Sequence, residues 1–90
     1  MPTIPVAAGT SDVQVISERC VLLGYTVEET AGSTAEFELL NGTSSSGKFI
    51  DGSHIPANNT VGDSFPGIVC EFGVFLNRIS GTTRASIRIR

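Results

Sequence analysis

The sequence predicts an all-β fold: an antiparallel β-sandwich or small jelly-roll-like barrel of about eight short strands. Three observations lead there. Val, Ile and Thr supply 25 of the 90 residues while Lys and Gln occur once each, a balance that suits strands and starves helices. Apolar and polar residues alternate over short runs, and turn residues interrupt them at spacings of roughly 8–12 residues. No ten-residue stretch carries a helical period.

The elements follow in order. Residues 1–11 (MPTIPVAAGTS) contain two prolines and small residues, and read as an extended arm without a fold of its own. Residues 12–90 read as one β-sandwich domain. Its first strand is Asp12–Ser17, with Val13 and Val15 on one face. Arg19–Glu28 follows, with Val21, Leu23, Tyr25 and Val27 as its apolar face, and Glu29–Thr34 turns around Gly32. Ala35–Leu40 alternates cleanly: Ala35, Phe37 and Leu39 one way, Glu36 and Glu38 the other. Asn41-Gly42 opens a turn that Thr43–Gly47 extends into a loop.

Lys48–Asp51 is a short strand, Asp51-Gly52 a turn, and Pro56–Asn59 a loop. Thr60–Phe65 is a strand of weak pattern stopped by Pro66-Gly67. Ile68–Phe72 and Val74–Ile79 are apolar runs divided by Gly73, which marks a bulge or tight corner. After the Ser80-Gly81 turn, Arg84–Arg90 points Ala85, Ile87 and Ile89 inward and Arg84, Ser86, Arg88 and Arg90 outward.

Composition bounds the function. Leu, Ile, Val and Phe total 26 of 90 residues, enough for one core, while charged residues are 17% and the net charge is −3. These values exclude a disordered tail, a coiled coil, a nucleic-acid coat and a multi-domain enzyme. No apolar run approaches the ~18 residues of a membrane span. The N-terminus lacks a basic segment followed by an apolar one, and Met1 favours an intracellular origin over a processed product. The strand parity places Cys20 and Cys70 on opposite faces, so the two thiols are not expected to meet unless a bulge intervenes. Both read as reduced, small hydrophobic residues.

Several groupings imitate chemistry. Gly42–Lys48 (GTSSSGK) matches part of a phosphate-binding loop, but Phe49 stands where a magnesium-binding hydroxyl belongs, and a strand follows in place of a helix. Asp51, Ser53 and His54 supply the residue types of a catalytic triad, yet triad members converge from separate elements and these are chain neighbours. One histidine with scattered carboxylates makes no metal site. Glu36 and Glu38 resemble a glycosidase pair but fall on a solvated strand face. No enzyme activity, cofactor or small-molecule substrate is expected. Arg84, Arg88 and Arg90 lack interleaved aromatics, so no nucleic-acid partner is expected. The arginines are expected to meet carboxylates, either Glu36 and Glu38 across strands or those of a neighbouring chain.

The segments Phe65-Pro66-Gly67-Ile68, Glu71–Leu76, Ile79–Thr82 and Ala85–Arg90, with the earlier Arg19-Cys20-Val21-Leu22-Leu23-Gly24, resemble the small β-sandwich decoration or cement proteins of tailed-phage capsids. The resemblance spans about Ser17 to Arg90. It implies a non-enzymatic virion protein on the capsid outer surface, bound to the major capsid protein and often trimeric. For such a role, the arm residues Pro2, Ile4, Pro5 and Val6 are candidate protein contacts. So are the off-phase apolar residues Leu22 and Leu40, and the row Arg84, Arg88 and Arg90. The alternative is a carbohydrate- or host-receptor-binding β-sandwich of a virion fibre. The absence of Trp and the inward phase of Tyr25 leave it without an aromatic platform in the sequence.

Overall fold

The computed structural model describes residues 2–90. Its strands are β1 (Thr3–Gly9), β2 (Val13–Ile16), β3 (Cys20–Glu29), β4 (Ala35–Asn41), β5 (Lys48–Ile55), β6 (Thr60–Cys70), β7 (Val74–Ser80) and β8 (Thr83–Ile89). They form two four-stranded sheets, ordered β1-β8-β3-β6 and β2-β7-β4-β5, with every pairing antiparallel. The pairs β1–β8, β2–β7, β3–β6 and β4–β5 are those of one long hairpin, and the β3–β8 and β4–β7 pairings roll that hairpin into a jelly roll. All connections except β4–β5 cross from one sheet to the other.

The inner faces supply the core. Leu22, Val27, Ile87 and Cys70 of the first sheet meet Phe37, Leu39, Leu76 and Ile55 of the second, each at most 1% exposed. Tyr25 sits among them with its ring edge toward Phe37, at 5.6 Å and 74°, and with Phe65 on its other side at 6.0 Å.

Residues 3–9 do not form a free arm. They are strand β1, paired along β8 from Thr3↔Arg88 to Gly9↔Thr83, with Val6 buried in the core. The prolines are compatible because β1 is an edge strand, where a missing N–H costs no ladder bond. A buried arginine fixes the segment further. Arg78 donates from Nη2 to Ala7 O at 2.8 Å and from Nη1 to Ser11 O at 2.9 Å, and also reaches Thr83 Oγ1 and O. Its backbone N–H donates to Asp12 Oδ1.

Two expected strands, Thr60–Phe65 and Ile68–Phe72, are one. Pro66-Gly67 bulges outward within β6 without ending it, since β6 is also an edge and Gly67 adopts φ 137°, which a side chain rarely permits. Strand β3 carries a matching irregularity. Leu22 pairs with Ile89 and Gly24 with Arg88, so one extra residue is inserted at Leu23. A Cβ on Gly24 would stand 2.6 Å from both Asp63 O and Arg88 Nη2, so the bulge needs glycine there. The insertion resets the parity: Cys20 and Leu22 point inward, and so do Tyr25, Val27 and Glu29. The expectation that Cys20 and Cys70 avoid each other is thereby overturned. They are direct cross-strand partners, both buried and both free thiols.

At the other end of β3 the buried Glu29 carboxylate accepts backbone N–H groups of Asn58, Ala31 and Gly32 at 2.7–2.9 Å. The Asn58 bond leads in holding its pKa below the ordinary carboxylate value, against the opposing effect of burial. Glu29 thus ties the β3–β4 and β5–β6 loops together.

Candidate functional site

The outer face of the β2-β7-β4-β5 sheet carries Gln14, Glu36, Glu38, His54 and Asn77 together with the aromatic rings of Phe49 and Phe75. Because Ala35, Phe37 and Leu39 face inward, Glu36 and Glu38 project outward, as their alternation predicts. The register then sets three ranks across the sheet. Glu36 stands opposite His54, with His54 Nε2 3.4 Å from Glu36 Oε2. Glu38 lies between Gly52 and Asn77, and Asn77 Nδ2 donates to Glu38 Oε1 at 3.2 Å. The third rank is Gln14, Phe75, Leu40 and Phe49.

Phe49 is 58% exposed at the β5 end of that rank. It borders a hollow of about 210 Å³ floored by Gly52 and edged by Glu36, Glu38, Ser53 and His54. Phe72, 64% exposed, lies at the same end of the molecule, in the β6–β7 turn. Its N–H donates to Asn41 Oδ1 at 3.1 Å, and it lines a second hollow of about 380 Å³ with Lys48 and the Gly42–Gly47 loop. This end thus carries two exposed phenyl rings beside the single lysine.

That loop makes no phosphate cradle. It closes on itself, with Gly47 N donating to Ser44 O and the Ser44 and Ser46 hydroxyls 2.8 Å apart, and it enters β5 directly. The triad look-alike separates as well. The Asp51 carboxylate accepts from Tyr25 and from Gly52 N, Ser53 Oγ donates to His54 O, and the His54 ring turns outward to Glu36. Among the described residues, no three His, Cys, Asp or Glu side chains converge as metal ligands would.

The outer face of the β1-β8-β3-β6 sheet holds the arginine row, so those guanidiniums and the Glu36–Glu38 pair occupy opposite faces of the sandwich. Arg84 pairs instead with Glu28 on the neighbouring strand. Arg88 donates to Thr26 Oγ1, Tyr25 O and Asp63 O, bracing the β3 bulge. Arg90 is exposed, and its backbone pairs with Val21. Between them the cross-strand rank Pro5, Ser86, Thr26 and Gly62 carries only small side chains, and leaves a shallow cleft of about 460 Å³.

The other expected contact residues divide by burial. Pro2 and Pro5 are exposed, Ile4 is half-buried against the core, and Val6 lies within it. Leu22 is 0% exposed, because the bulge turns it inward, so it does not serve as a surface contact. Leu40 does face outward but is 2% exposed, covered where Gly47 of the loop packs on it. Sequence reading missed Phe49 and Phe72. Phe72 sits in a run that alternates like a core strand, and the turn at Gly73 releases it. Phe49 stands next to Ile50 in a run with no alternation to read, and the bulge opposite Leu39–Leu40 turns it to solvent. Comparison with protein-family models, with curated proteins and with solved structures finds no match to this chain.

Proposed function

We propose that this chain is a structural virion protein, a capsid decoration or cement subunit that binds the major capsid protein shell and stabilises it. The observation that carries the reading is the exposed pair Phe49 and Phe72 at one end of a jelly-roll sheet. Two further considerations support it. The jelly roll recurs in viral coat and lectin domains, a likeness of architecture alone, and the resemblance of residues 17–90 to decoration proteins points the same way. Such a subunit strengthens a shell by binding assembled capsomers better than separated ones. Many weak attachments then add across the lattice, and a trimeric subunit multiplies them further.

The test is co-sedimentation with capsid shells of the encoding phage, comparing the native chain with the double variant Phe49→Ser/Phe72→Ser. Exposed anchors of this kind contribute on the order of 2 kcal/mol each at an interface. Occupancy is expected to fall at least about tenfold while the thermal midpoint stays within about 2 °C. Unchanged occupancy at matched stability would reject the assignment of the gripping surface, and no binding by the native chain would reject the function.

One observation favours the second reading, a carbohydrate- or host-receptor-binding module. Phe49 offers a ring beside Glu36, Glu38, Ser53 and His54, the mix of apolar platform and polar rim that a sugar requires. Glycan-array binding that disappears in Phe49→Ser, with no affinity for shells, would establish that reading in place of the first.

A further inference from the structure

The β3–β6 pairing brings the chain's two cysteines, about fifty residues apart in sequence, directly opposite each other. Directly opposed residues of an antiparallel ladder project to the same face, with Cα atoms about 4.5–5.5 Å apart. That spacing lies inside the range of roughly 4.4–6.8 Å that a disulfide bridges. Both side chains point into the core, Cys20 at 6% and Cys70 at 0% exposure, and each perturbs the other's ionisation. Strand β6 is an edge held on one side only by β3, and its ladder is already interrupted at the Pro66-Gly67 bulge. The short stretch Ile68–Cys70 beyond that bulge is therefore the segment a covalent tie would secure.

We propose that Cys20 and Cys70 form a built-in cross-link site, which a small-molecule disulfide converts into an intramolecular disulfide tying the end of β6 to β3. In the first step the Cys20 thiol loses its proton to water, and its thiolate attacks one sulfur of the oxidant. A mixed disulfide forms and one small thiolate departs. In the second step the Cys70 thiolate attacks the Cys20 sulfur and expels the second small thiolate. Overall, two protein thiols are oxidised to one disulfide, one small disulfide is reduced to two thiols, and the two protons released from the cysteines end on those thiols.

The environment sets the order of attack. Burial pushes the Cys70 thiol up to about 11, with the neighbouring Cys20 adding to the rise. Burial also raises Cys20, but there the Cys70 hydrogen bond works in the opposite direction. Cys20, the less enclosed thiol, attacks first and Cys70 resolves. Scarce thiolate and an enclosed site make the reaction slow while the edge stays closed. The chain therefore remains reduced through brief exposure and becomes cross-linked on long residence in an oxidising medium.

The experiment treats the folded chain with oxidised glutathione at mildly alkaline pH, without denaturant. The expected product is a monomer lighter by two hydrogens, in which peptide mapping links Cys20 to Cys70. Its unfolding midpoint is expected to rise by roughly 10 °C or more over the reduced form, and to return on treatment with dithiothreitol. Four results would each overturn the proposal: a glutathione adduct that persists on one cysteine, a disulfide-linked dimer, closure that occurs only in denaturant, or a closed monomer that melts no higher than the reduced one.

Discussion

Tyr25 is the only tyrosine in the chain, and its hydroxyl reaches across the core boundary to donate to Asp51 Oδ2 at 3.1 Å. Burial, then the Asp51 hydrogen bond, then the charges of Asp51 and Asp63 all disfavour the phenolate, pushing its pKa up to about 12. A group whose pKa is higher folded than unfolded stabilises the fold fully below its unfolded value, near 10 for tyrosine. That contribution is then lost as the pH rises through 12. Phenolate absorbance of the native chain is accordingly expected to titrate near 12, with unfolding stability declining between pH 10 and 12. Tyr25→Phe is expected to abolish that decline and to cost about 1 kcal/mol at neutral pH through the lost hydrogen bond. A midpoint near 10 in the folded chain would show that the hydroxyl is solvated and not held by Asp51.

At the scale of elements, Arg78 ties β7 to the opposite sheet, with which it shares no ladder. From β7 it faces inward beside Phe37 and spends its guanidinium donors on Ala7 of β1, on Ser11 of the β1–β2 connection and on Thr83 at the start of β8. Burial lowers its pKa, with Asp12 opposing that shift, and the fixed fork of donors is what satisfies four acceptors at once. Arg78→Ala leaves those acceptors unpaired in a buried site and is expected to destabilise the chain by about 3 kcal/mol or more in urea titration. Arg78→Lys is expected to recover less than half of the loss, because an ammonium cannot reproduce the fork. The same scale shows what was legible beforehand. Ala35–Leu40 and Arg84–Arg90 follow strict alternation and were readable as to the face each side chain takes, though not as to the loop that covers Leu40. Arg19–Val27 was not, because an inserted residue at Leu23 leaves apolar side chains on both faces and so hides the change of phase. Pro66-Gly67 carries the same signal whether a strand ends or bulges, and only its position at a sheet edge decides between them. Phe49 and Phe72 were lost for a related reason: exposure at the end of a strand depends on which loops fold over it, as the loop covering Leu40 shows.

For the molecule as a whole, the decisive feature is that the first strand pairs with the last. β1 lies on β8, and the N–H of Ile89 donates to Pro2 O at 3.2 Å, so the chain's two ends meet at one side of the sheet. Most stabilising contacts therefore join residues far apart in sequence, and such a topology gains little until both ends are in place. An arm that merely hung from a finished sandwich would be dispensable, and its removal would leave the melting curve unchanged. The strand observed here covers the β8 edge, contributes Val6 to the core and, with Ser11 just beyond it, supplies two of the acceptors of Arg78. Deletion of residues 1–11 is thus expected to remove cooperative unfolding altogether, or to lower its midpoint by more than 15 °C by the usual conversion for a domain of roughly this size. The exposed β8 edge should then drive association, visible as a rise in sedimentation coefficient with concentration. Circular dichroism melts and sedimentation of the truncated chain decide the matter, and a truncated monomer with native stability would return the N-terminal segment to the status of a free arm.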